Sequence, residues 1–138
     1  MTYIRVKWIH AYRDEPIWMI AELNADRWET RKIEFFADGS KGYSGQGEEV
    51  GGTALGQLPI PPLQEIAADP QFLPEVIAKG EFEALWDARK IGVRPRHPGQ
   101  PRSARSFFQQ YAQTRRQYRQ YPHSAAAGPG GESRRCYA

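Results

Sequence analysis

Cysteine is almost missing from this 138-residue sequence, with Cys136 near the end as the only one. A single thiol excludes an intrachain disulfide and a cysteine-based zinc site, so the fold has to rest on apolar burial. Long apolar runs are missing too. The longest, Ile17-Trp18-Met19-Ile20-Ala21, falls far short of the ~20 residues that cross a bilayer. The first residues lack a basic stretch followed by an apolar one, because Arg5, Lys7 and His10 interrupt them, so no secretory leader is expected. The expected location is the cytoplasm, with no membrane partner. Histidine is also scarce, at three residues. His97 and His123 lie among prolines and arginines, which leaves His10 as the sole candidate in the first ninety residues. No Ser-His-Asp or Cys-His set can be assembled, and one histidine with scattered acids makes no metal site. Neither a catalytic set, a metal nor a cofactor is expected.

What is present is divided by charge. Residues 1–90 carry ten Lys/Arg against fifteen Asp/Glu, a net of −5, whereas 91–138 carry nine Arg against Glu132 alone, a net of +8. The chain reads as an acidic domain over 1–90 and a basic Arg/Pro-rich extension over 91–138. The extension uses arginine and no lysine, and guanidinium suits bidentate phosphate contacts and base stacking. A GC-rich coding sequence would enrich Arg, Pro, Gly and Ala equally well.

Alternation in residues 3–10 places Ile4, Val6 and Trp8 on one face and Tyr3, Arg5 and Lys7 on the other, the pattern of a strand. After the Asp14-Glu15-Pro16 turn, Ile17, Met19, Ala21 and Leu23 share one face, with Trp18, Ile20 and Glu22 opposite. Trp28–Ala37 reads as a third strand ending at Asp38-Gly39, a hairpin signal, with a short returning strand at Lys41–Ser44. Short turns between consecutive strands predict an antiparallel meander.

Seven glycines fall between Gly39 and Gly56. They fit no phosphate-binding motif, and Glu48 and Glu49 would repel an anion, so a flexible surface loop is expected. Leu63, Ile66 and Ala67 have helical spacing, and Pro70 ends that helix. Residues 70–78 read as extended chain on the core. A second helix is expected over roughly 80–90, with Phe82, Leu85 and Trp86 on one side. The predicted fold class is α+β: an antiparallel meander of three to four strands, covered on one face by two short helices, plus a basic helical extension.

"YIRVKWIH", "DEPIWMIAELNADRWETRKIEFFADGSKGY", "GGTALGQLPIPPLQEIAADPQF" and "EFEALW" together resemble a compact bacterial domain family of unknown function, over about residues 2–90. By size and acidity such domains are similar to immunity-type proteins of bacterial toxin systems. That analogy of class gives no residue a role.

One polar constellation stands out in the domain. Glu29 and Arg31 share parity with Ile33 and Phe35, and His10 lies beside Trp8 near the Arg13-Asp14-Glu15 turn. His10, Glu29 and Arg31 could line a ligand or partner pocket at the sheet end. The competing reading is structural: a strand-end histidine, and an ion pair where a strand emerges into solvent.

In the extension, Pro101 and Pro122 bracket twenty residues without Gly, Pro or acid, predicting a helix at 103–121. Phe107, Tyr111 and Tyr118, with Ala104 and Phe108, line one side. Arg105, Arg116 and Arg119 gather on the other, and Arg115 intrudes on the aromatic side. This separation suits docking on protein, whether the chain's own domain or a second copy. Weak, non-specific nucleic-acid binding and lack of fixed structure remain open, and the composition of 122–138 predicts a mobile end.

The leading functional expectation is a non-enzymatic protein-interaction module with an unidentified protein partner, of the immunity or neutralising kind in a bacterial toxin or defence system. The alternatives are a small ligand-binding protein or enzyme at His10, Glu29 and Arg31, and a non-specific nucleic-acid binder acting through the extension.

Overall fold

The computed structural model describes residues 1–95. Five strands follow one another as a meander: β1 (Thr2–Trp8), β2 (Trp18–Leu23), β3 (Glu29–Phe35), β4 (Lys41–Gly45) and β5 (Glu48–Val50). A sixth, β6 (Phe72–Val76), returns to pair antiparallel with β1, giving one sheet in the order β5-β4-β3-β2-β1-β6. The helices are α1 (Leu63–Ala67) and α2 (Lys79–Asp87). Among the described residues no helix is long and apolar enough to cross a membrane. The helix expected at 103–121 lies outside the described residues.

The α+β class and the antiparallel meander match the expectation, but the sheet has six strands where three or four were expected. The two additional strands are the edges. β5 is three residues long, and β6 carries Pro74, so neither has the alternation of a longer half-buried strand.

The helices do not share a face. On one side of the sheet Ile4, Val6, Trp8, Met19, Ala21 and Leu23 pack with Ile60, Leu63 and Ile66. On the other, Tyr3, Ile20, Ile33 and Tyr43 pack with Phe82 and Trp86. The sheet is therefore covered on both sides. β6 is the reason: it lies between α1 and α2 in sequence and occupies the sheet edge, so the chain approaches that edge on one face and leaves it on the other.

The glycine-rich segment is no loose loop. Residues 51–62 run across the β1–β3 sheet face as a strap to α1. Thr53 Oγ1 donates to Glu34 Oε1 at 2.8 Å, the Gly56 N–H donates to Glu29 Oε1, and Ile60 N donates to Arg27 O at 2.8 Å. Arg27 returns two bonds, from Nε to Ile60 O at 2.7 Å and from Nη2 to Pro61 O at 2.8 Å. The strap can lie this flat because of two glycines. A Cβ on Gly42 would collide with Thr53 Oγ1, and one on Gly51 (φ +73) would come within 2.8 Å of Gly42 Cα.

Glycine substitutions should therefore differ in sign. Gly42→Ala forces Thr53 off Glu34 and should destabilise by about 1–3 kcal/mol, the usual cost of overpacking. Gly80→Ala, in α2 with open space around it, should stabilise by up to ~1 kcal/mol through helix propensity. Urea unfolding of both variants checks this; equal midpoints would contradict the close approach at Gly42.

Candidate functional site

The structure does not bring His10, Glu29 and Arg31 together. Strand register pairs Thr2 with Leu23 and Leu23 with Glu29 at one end of the sheet, and Lys7 with Trp18 and Trp18 with Phe35 at the other. Glu29 and Arg31 belong to the first end, whereas His10 follows β1 at the second. Glu29 and Arg31 are separated as well. The β2–β3 register shifts so that Glu22 faces Arg31 and Leu23 faces Glu29. This bulge at Thr30 breaks the alternation on which their shared parity depended, and it turns the two side chains to opposite faces.

Arg31 is a clamp. Its Nε and Nη2 donate to the two Glu22 oxygens at 2.9 and 2.6 Å, and its Nη1 and Nη2 donate to the Glu83 oxygens at 3.0 and 2.8 Å. Its guanidinium stacks 4.8 Å from the Phe82 ring and 5.2 Å from Trp86. Both forks are engaged, which ties β2 and β3 to α2. The hydrogen bonds from Arg31, opposed by burial and aided by Thr30, hold the Glu22 carboxyl down at about 2.

Glu29 joins a buried cluster beneath the strap. Lys32 is fully buried, with Nζ 3.2 Å from Glu29 Oε1 and 4.0 Å from Glu34 Oε2. Burial raises the Glu34 carboxyl, against the pull of Lys32 and Thr53. These charges hold strap and sheet together.

His10 is also engaged on both nitrogens. Nδ1 accepts from Tyr12 N at 2.9 Å, which leaves Nε2 to donate to Pro16 O at 2.8 Å. The ring packs 4.1 Å from Trp8 and stacks 5.3 Å from Tyr12. It braces the β1–β2 loop.

That loop, however, forms one wall of an open cleft of about 520 Å³. Tyr12, Arg13 and Asp14 contribute from this side, and Phe36 and Asp38 from the β3–β4 turn opposite. Sequence reasoning placed His10 near the Asp14 turn but had no signal for the third wall, Arg94. Residues 92–94 run beside β4, with Lys41 N donating to Gly92 O at 3.0 Å and Arg94 N to Lys41 O at 2.7 Å. This parallel bridge lays the Arg94 guanidinium 4.2 Å over the Phe36 ring and 3.3 Å from Asp14 Oδ1.

The cleft's carboxylates differ. Burial raises Glu15, beside the cleft, with His10 and Arg94 pulling it down and Asp14 pushing it up. Hydrogen bonds from Ser40 hold Asp38 below its ordinary value. Tyr12 is 64% exposed and the Asp14 side chain 75% exposed, so an aromatic ring and a carboxylate face solvent together.

A family model for a domain of unknown function, DUF6881, matches residues 2–91. The chain belongs to this family. No curated protein and no solved structure gives a match. The DUF6881 match covers the whole sheet and both helices, and it ends just before Arg94. The proposed extension contacts at Arg105, Phe107, Phe108, Tyr111, Arg115, Arg116, Tyr118 and Arg119 lie outside the described residues.

The Arg31 clamp has a pH signature. A carboxyl lowered from 4.5 to about 2 contributes stability above pH ~4.5 that is lost as pH falls through 2, on the order of 3 kcal/mol in all. Glu34, raised by burial, works in the opposite direction. The test is therefore the difference between the parent chain and Glu22→Gln: their stabilities, measured by urea unfolding, should converge between pH 5 and 2. A constant difference across that range would refute the assignment.

Proposed function

We propose that this domain is a non-enzymatic, cytoplasmic protein-interaction module that binds a basic partner through the cleft between the β1–β2 loop and the β3–β4 turn. Its proposed setting is a bacterial toxin or defence system in which it neutralises that partner. One observation carries the reading: the cleft already seats a guanidinium. Arg94 lies on Phe36 and against Asp14, the combination of aromatic face and carboxylate that recognises arginine.

Two further features support a loop-borne interface. The described residues carry eleven Lys/Arg against fifteen Asp/Glu, and an acidic surface accelerates encounter with a basic partner and biases against acidic ones. The sheet edges are poorly suited to strand addition. Gln71 O accepts from Ile9 N just after β1 and Ile77 N donates to Tyr3 O of β1, so by alternation Pro74 turns its missing donor outward. At the other edge β5 is short and carries Glu48 and Glu49.

Both apolar clusters lie within residues 1–95, so that fragment suits a titration with short labelled peptides. An arginine-containing basic peptide should shift the amides of Tyr12, Asp14 and Ser40. Asp14→Asn with Asp38→Asn should weaken binding at least ~10-fold, about 1.4 kcal/mol. Replacing the peptide's arginines by lysine should weaken it too, since lysine lacks the planar stacking surface. Equal binding by the double variant, or shifts centred away from the cleft, would overturn the proposal.

A further inference from the structure

The described chain ends in the cleft. Arg94 forms one wall and Pro95 follows it, so everything after Pro95 starts from this position. Residues 96–121 contain six arginines, at 96, 102, 105, 115, 116 and 119, and no acidic residue.

Resting on the reading that the cleft takes an arginine-bearing segment, we propose that its resident occupant is the chain's own segment 96–121, entering at Arg94. The partner of the preceding proposal would then have to displace it.

Three observations support this occupant. The first is charge: a segment of +6 begins at the edge of a domain that carries −4 over residues 1–95, from eleven Lys/Arg against fifteen Asp/Glu. Second, the seat is only partly filled. Arg94 Nη1 and Nη2 reach Asp14 O and Asp14 Oδ1 at 3.4 and 3.3 Å, long for charge-assisted bonds. Asp14 remains largely exposed, and both hydrogen bonds from Ser40 to Asp38 fall on one of its oxygens, Oδ1. Arg13 also lines the cleft, so the segment meets one cation besides Arg94, set against Asp14, Asp38 and the neighbouring Glu15. The third observation is tethering. Arg102 is eight residues beyond Arg94, a span of at most ~28 Å, and a short tether presents a ligand at millimolar effective concentration. No free basic peptide would compete easily with that.

The contact can be read in the full chain. A nitroxide is placed at Gln109→Cys in a Cys136→Ser background, and amide intensities are compared before and after reduction of the label. Docking predicts selective loss of intensity at Tyr12, Asp14 and Ser40 relative to the Asn24–Trp28 turn at the far end of the sheet, with recovery on Asp14→Asn/Asp38→Asn. Loss that is unchanged in that double variant is what tethering alone produces and would overturn the proposal. So would loss centred on another surface. A mixture of isotope-labelled, spin-free chain with spin-labelled, isotope-free chain separates the remaining case: cleft broadening there would make a second copy the occupant and also overturn it. The peptide titration on residues 1–95 keeps the two ideas apart. Peptide binding without spin-label contact removes the internal occupant and leaves the interaction cleft standing, whereas failure of both removes the cleft as well.

Discussion

The fold depends on one constraint: β3, in the middle of the sheet, is covered on both faces and carries charges on both. Arg31 points to the α2 side, and Lys32 and Glu34 point to the strap side, where the bulge also sends Glu29. A charge taken from water needs partners, and removing one partner from a buried pair costs about 3–5 kcal/mol because the other is stranded. The two faces solve this with different elements. α2 supplies Glu83 to Arg31 along with the Phe82 and Trp86 rings, while the strap supplies Thr53 and the Gly56 N–H to the acids around Lys32. Helix and strap are thus positioned by what β3 requires as much as by apolar burial.

The same constraint explains the glycines. A strap that satisfies Glu34 has to bring Thr53 down to the sheet, and to do so its first residue, Gly51, lies against Gly42 of β4. Side chains there would hold Thr53 away from the carboxylate. Within the glycine run, Gly42 and Gly51 are where backbone meets backbone, which composition alone does not distinguish from a loop.

Much of the architecture was legible in the sequence. Period-two alternation identified β1 to β3, Asp38-Gly39 identified the hairpin, and helical spacing at Leu63–Ala67 and Phe82–Trp86 identified both helices. The failures have physical causes. Counting parity across residues 29–31 assumes a regular strand, and one bulged residue reverses it. The face taken by a helix depends on where the intervening segment pairs, and β6 reads as an irregular Pro-containing stretch until β1 is beside it. The site was legible only in part. His10 and the Asp14 turn were visible locally, but Phe36 and Arg94 join them through non-local pairing of Lys41 with Val93.

The separation of these two regions bears on function. The Arg31 clamp lies toward the Leu23–Glu29 end of the sheet, and the cleft lies at the opposite end, built from turns whose backbone is held by His10, Ser40 and the Lys41–Val93 bridge. Of the β3 charges only Glu34 reaches toward the cleft end, where Glu15 acts on it. Stability is concentrated where side chains are buried and mutually paired. The exposed carboxylate and aromatic ring sit on loops that this framework holds in place, so in the proposed recognition they would exchange one cationic partner for another without opening the Arg31 clamp. Such a division suits the proposed recognition, in which a partner would read Tyr12, Asp14 and Asp38 while the Arg31 clamp stays closed.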